Sequence, residues 1–143
     1  MADFFAVRDE IAEKLTEITA FKKIYTPRNS LKDTELSQVT PSAHVNFVRI
    51  TADDSAGRGR ANLIGMQWAV SVACRNAQSQ LDNGNAVNDQ AGALLLEVIQ
   101  LLSGWQPTSS RVPLQLIQVN ESFSTGFTYL TAIFSSSQFI KSN

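Results

Sequence analysis

The chain has 143 residues, 43% of them hydrophobic, and a formal net charge of −1. A chain of about this length buries roughly two thirds of its unfolded surface, which fits a single domain over residues 1–143 with a real core. Near-neutrality leaves no cluster of unopposed Lys or Arg for phosphates, which excludes polyanion binding as the main activity, and the single cysteine, Cys74, excludes an intrachain disulfide.

Residues 1–20 mix acids and bases through their apolar positions, unlike a secretory signal, and no uncharged stretch reaches the ~18 residues of a membrane span. The expectation is a soluble, cytosolic product with no membrane partner. Asp3 to Ala20 reads as an amphipathic helix, because Phe4, Val7, Ile11, Leu15 and Ile18 recur at three- and four-residue steps. Asp3 suits the N-cap, and Lys22 and Lys23 complement the C-terminal dipole. Ile24 and Tyr25 begin a short strand that ends at Thr26-Pro27. Arg28 to Thr40 reads as a long polar connection, either a surface excursion or a segment ordered by a partner.

Ala43 to Ile50 reads as a second strand. Its alternation (Ala43, Val45, Phe47) changes phase at Val48, as a bulge or a doubly covered strand would make it. Thr51 to Ala61, with Asp53, Asp54, Gly57, Arg58, Gly59 and Arg60, reads as a mobile hairpin tip. The long strand is Asn62 to Asn76, where Ile64, Met66, Trp68, Val70, Val72 and Cys74 fall at every second position. Cys74 in that series is a small apolar filler, and Trp68 is core. The opposite phase (Gly65, Gln67, Ala69, Ser71, Ala73, Arg75) is small or polar, fit for solvent or for close approach of a backbone.

A second helix begins near Asn85 or Asn88 and ends at Ser103. Gly104 suits the left-handed C′ position, with Trp105 packing back on Ile99 in a Schellman arrangement and Pro107 barring continuation. Leu96, Ile99 and Leu101 lie off the main apolar stripe, so the last turns are apolar almost all round and need cover on most sides. Val112 to Val119 and Phe127 to Phe134 read as two strands covered on both faces, separated by a turn-rich break at Asn120 to Gly126. Ser135 to Asn143 reads as a serine-rich tail, flexible or docking on a partner through Phe139 and Ile140. Helices and hairpins are segregated along the chain. This predicts an α+β fold, a mainly antiparallel sheet of about four to five strands with two main helices on one face.

Catalytic signals are weak. His44, the one histidine, follows Ser42 by two residues, a step of ~6.5 Å along a strand, and reads as an exposed strand residue. One His and one Cys make no zinc pattern, and Asp33, Glu35, Asp53 and Asp54 lack calcium-loop spacing. Gly57-Arg58-Gly59 lacks the helix that a dinucleotide loop requires. The residues predict no catalytic, metal-binding or cofactor-binding group. Asp53 and Asp54 beside Arg58 and Arg60 read as ion pairs or as an interface arm.

The run Gln67-Trp68-Ala69-Val70-Ser71-Val72-Ala73-Cys74-Arg75-Asn76, and the later Leu101-Leu102-Ser103-Gly104-Trp105-Gln106-Pro107, resemble tail terminator proteins of long-tailed bacteriophages, in particular the Mu-like group. The layout of helix, Tyr25-Thr26-Pro27, strand, linker, helix and two strands is similar from about residue 3 to residue 134. The resemblance implies an α+β structural protein without enzymatic activity or cofactor. It implies a homo-oligomer, a hexameric ring on the finished tail tube, that stops tube polymerisation and offers a surface to a head-completion or neck protein. DNA would pass the channel without specific binding, and the protein would sit at the head-proximal end of the virion tail after assembly in the host cytoplasm. Subunit or tube contacts then fall to Asp53, Asp54, Arg58, Arg60, Phe139 and Ile140, and structural roles to Trp68, Gly104, Trp105 and Pro107. Two other classes remain open to the residues: a head–tail joining or tail completion protein, and a small-ligand or enzymatic domain.

Overall fold

Residues 3–27, 35–56, 59, 61–75 and 85–141 are described in the structure, a computed structural model. The elements in order are α1 (Ala6–Leu15), β1 (Lys23–Tyr25), a 3-10 turn (Glu35–Ser37), β2 (Ser42–Ala56), β3 (Ala61–Arg75), α2 (Asn85–Leu102), β4 (Gln115–Ser124) and β5 (Phe127–Lys141). The five strands form one sheet in the order β1-β2-β3-β5-β4. Only the β1–β2 pair is parallel; the other three pairs are antiparallel. Both helices join one hydrophobic cluster with one face of this sheet, so the expected α+β arrangement is present.

β3 is the spine. Its full length, Ala61 to Arg75, is in register with Lys141 to Phe127 of β5, and β2 lies along its other side. Alternation turns Met66, Trp68, Val70, Val72 and Cys74 toward the helices, where all are buried. Val45 of β2 and Ala132 and Phe134 of β5 extend that layer. α1 closes it with Val7, Ile11 and Leu15, and α2 with Ala91, Leu94, Leu95, Val98 and Leu102. Burying this many Val, Leu, Ile and Phe side chains, at about 1.5–3 kcal/mol each, is the main favourable term.

Several boundaries differ from the sequence expectation, each for a local reason. α1 is shorter than Asp3–Ala20. The Asp3 carboxylate accepts the Phe5 N–H (2.9 Å), forming a turn ahead of the helix, and Phe5 takes the N-cap position. At the other end Thr16, Glu17 and Ile18 bond three residues back, which tightens and stops the helix. The hairpin β2–β3 is longer than expected. Both strands stay paired out to Ala56 and Ala61, so most of the segment expected as a tip, Thr51–Ala61, is ladder. Val48 is indeed the extra residue of a bulge, between the Phe47–Trp68 and Arg49–Gln67 pairs, and Asp53 is a second one.

β4 runs through to Ser124, because Asn120 to Ser124 pair with Thr131 to Phe127; the expected break at Asn120–Gly126 shrinks to Thr125-Gly126. β4 is also not covered on two sides. Nearly all of it is exposed, since α2 packs chiefly on β3 and β5. The expected tail from Ser135 is instead the outer half of β5, in register with β3 as far as Lys141. Small serines suit that position: Ser136 Oγ accepts the buried Trp68 Nε1–H (2.8 Å). Finally, α2 is one-sided. Ile99 and Leu101 are half-buried, but Leu96 is 55% exposed, so the helix end is not covered all round.

Candidate assembly surfaces

The segment after α2 is built by main-chain hydrogen bonds. Gly104 has the left-handed φ of 80° expected of it. Its N–H, however, crosses to the Leu114 carbonyl (2.9 Å), while Leu114 N–H donates to Trp105 O (2.8 Å). This two-way clip replaces the expected Schellman bonds and brings Trp105 next to the start of β4. Trp105 is half-buried against the core, with Lys14 Nζ 5.5 Å from its ring centre, and Pro107 is buried. Ser110 then fastens the loop to β5. Its Oγ donates to Val112 O (2.7 Å) and accepts the Ser137 N–H (3.2 Å), and Arg111 N–H donates to Ser137 O (2.7 Å).

That fastening creates a groove of about 530 Å³, walled by Phe4 from the start of α1, Ser109 and Arg111 from the loop, and Phe139 and Ile140 from the end of β5. Phe4, Phe139 and Ile140 are exposed in it. The Arg111 guanidinium lies 5.4 Å from the Phe139 ring centre, a cation over an aromatic face. Phe139 and Ile140 are thus exposed, and they stand on a paired strand rather than on a loose tail.

The second open surface is β4. Val119, Glu121 and Phe123 pair with Ala132, Leu130 and Thr128, which places the three on the helix side of the sheet, where all three are exposed. Phe123 is 61% exposed, and Val119 and Ile117 nearly half. Ile117 is the extra residue of a bulge between Leu116 and Gln118. On the reverse side, Gln118 Nε2 donates to Asn120 Oδ1 (2.9 Å). One edge of the sheet therefore carries an apolar stripe interrupted by one carboxylate.

The face opposite the helices holds a polar network. Tyr129 Oη donates to Glu35 Oε2 (2.6 Å) and accepts from Gln38 Nε2 (3.0 Å). Gln38 Oε1 lies 2.9 Å from His44 Nε2 and can only accept, so that nitrogen carries the proton. His44 stacks on Tyr25, ring centres 4.8 Å apart, and Tyr25 Oη accepts the Val39 N–H (2.9 Å). His44 is thus half-buried, not an exposed strand histidine. Burial lowers its pKa from the ordinary histidine value, and burial together with the Glu35 bond raises that of Tyr129. Ser42 Oγ does come within 3.5 Å of His44 Nε2. Ser42 is fully buried and the nitrogen is committed to Gln38, so the pair clamps residues 35–39 onto the sheet and is not set up to attack a substrate. Cys74, with its thiol pushed up to about 11 by burial, is likewise inert.

Of the other residues expected at contacts, Asp53 and Asp54 sit in the outer part of β2. Arg58 and Arg60 lie outside the described residues. Trp68 is core, edge-on to Phe47 at 5.4 Å. Sequence reasoning missed Gln38, Ser110, Arg111 and Glu121. Their partners lie tens of residues away, or depend on an edge that only the strand order reveals.

Among the described residues, no helix is long and apolar enough to cross a membrane. None of the curated proteins compared with the chain matches it. The family model described as "Phage tail terminator protein" matches residues 1–143, the whole length, and this is a family of structural proteins. Membership makes the protein a component of the virion tail that meets other tail or head proteins. On that match over its whole length, the protein belongs to the phage tail terminator family.

Proposed function

We propose that the protein forms a ring on the finished tail tube, stops its polymerisation and offers a surface for head attachment. The ring is hexameric, its channel lets DNA pass without specific binding, and it occupies the head-proximal end of the tail. The observation that carries this reading is that two separate apolar surfaces, β4 and the Phe4–Phe139–Ile140 groove, stay uncovered in one copy. A closed ring built head to tail uses two different patches per subunit. Near-zero net charge suits a channel that lets DNA slide. The hairpin arm with Asp53, Asp54, Arg58 and Arg60 is a further reach toward neighbours or tube.

Negative-stain images of the full chain, alone and with tail tubes, test the proposal. Six-fold rings, or tubes closed at one end, are expected. A protein that stays monomeric in both preparations refutes it. Density for the subunit in the neck, away from the tube end, would instead mark a head–tail joining protein.

A further inference from the structure

We infer that the contact between neighbouring copies is heterologous: Val119, Glu121 and Phe123 on β4 of one copy seat in the groove of Phe4, Arg111, Phe139 and Ile140 on the next. The inference rests on the ring reading above and adds the surfaces that close it.

Both surfaces are largely apolar, and each carries a charge that the other can meet, Glu121 on β4 and Arg111 in the groove. On β4 the carboxylate of Glu121 stands between Val119 and Phe123 on the same side of the strand. In the groove the Arg111 guanidinium stands over Phe139 beside Phe4 and Ile140. The groove's own acid, Asp3, is engaged with the Phe5 N–H at 2.9 Å, and the described side-chain contact of Arg111 is the Phe139 ring. An incoming carboxylate would complete the guanidinium with charge-assisted bonds in an apolar setting, where such bonds are strong.

Geometry forbids a copy from satisfying itself. Phe123 lies opposite Thr128, at the start of β5, and the groove is walled by Phe139 near its end. Eleven residue steps along the strand separate those two positions, roughly 36 Å at the usual rise. Patches at opposite ends of one strand, complementary to each other and not to themselves, generate a head-to-tail series that can close. Pairing of β4 with β4 would stop at a dimer and leave the groove uncovered.

The test uses the full chain with tail tubes and three variants, Arg111→Glu, Glu121→Arg and the two combined. Ring or cap formation is read by negative stain and by native mass measurement, with far-UV circular dichroism as the check on folding. Each single reversal places like charges together and should weaken assembly roughly a hundredfold; the combined reversal should restore it. A second measurement mixes two single-cysteine variants, Phe123→Cys and Ile140→Cys, under oxidation, Cys74 being buried and silent. Cross-links are expected in the mixture and absent from either variant alone. Wild-type rings with unaffected single reversals, or with no rescue in the combined variant, overturn the inference and leave the ring reading standing. Cross-linking of Phe123→Cys to itself also overturns it, in favour of edge pairing. Absence of rings in the wild-type protein overturns both.

Discussion

The Trp68–Ser136 hydrogen bond offers the sharpest measure of how firmly the outer half of β5 is held. Trp68 is fully buried, edge-on to Phe47, and its Nε1–H has Ser136 Oγ at 2.8 Å. Removing the ring with Trp68→Ala deletes the largest side chain of the core and should cost about 3–5 kcal/mol. That is a large share of the ~5–15 kcal/mol typical of a domain. Ser136→Ala is the more informative change. It removes only an oxygen, yet leaves a dry N–H without an acceptor, and should cost about 1–3 kcal/mol. In a Trp68→Phe background the indole N–H is already gone, so the same serine substitution should cost about 1 kcal/mol less than in the native protein. Urea unfolding followed by far-UV circular dichroism measures all four corners of the cycle, with an unchanged denaturant slope as the sign that the folded and unfolded ensembles are comparable. A serine substitution equally harmless in both backgrounds would refute the reasoning and return residues 135–141 to the status of a loose tail.

The remaining expectations concern the helix end and the buried groups. Gly104→Ala should destabilise by about 1–2 kcal/mol through backbone strain alone, because φ is +80° and an added Cβ meets nothing within 4 Å. Gly92→Ala, inside α2 and equally free of clashes, should stabilise by about 0.4–1 kcal/mol; thermal melts that rank the two the other way would contradict both assignments. His44 gives the single imidazole signal of the chain, and it should titrate below the ordinary value of about 6.5. Because the unfolded chain then takes up this proton first, His44 contributes stability at neutral pH that falls away between pH ~6.5 and the lower folded value; an NMR midpoint above 6.5 would contradict this. The Cys74 thiol, pushed up to about 11, should resist a thiol reagent at pH 8 in the native protein and react fully in denaturant. Stoichiometric labelling within minutes under native conditions would show that the strand is not covered.

The layer of the fold was legible in the residues where burial alone decides. Met66 to Cys74 could be placed by period two because one face meets helices and the other does not, and Gly104 by the left-handed turn that follows a helix. Boundaries were less legible. Ser135 to Lys141 is poor in strand-forming residues, and it becomes strand because fifteen consecutive residues of β3 provide a continuous ladder opposite it. Val112 to Val119 is rich in branched apolar residues, which argued for cover on two sides. Strand order put that segment at the edge instead, and no local pattern encodes strand order. The same holds for the clamp of Gln38 on Tyr129, made across 91 positions of chain. The candidate surfaces were thus half visible: Phe139 and Ile140 by their hydrophobicity, Arg111 and Glu121 not at all.

An edge strand that exposes Ile117, Val119 and Phe123 invites indiscriminate strand addition. β4 carries the two features that discourage it. The bulge at Ile117 breaks the regular spacing of its outer hydrogen-bonding groups, and Glu121 sets an exposed charge in the middle of the apolar stripe. A partner that simply extended the ladder would have to accommodate the irregularity and bury the charge without a counter-ion. A partner that offers a concave apolar wall with a guanidinium meets neither obstacle. The features that keep the edge from pairing with any passing strand are therefore the ones that would let it recognise a specific surface, which is why its chemistry matters more to assembly than the area it exposes.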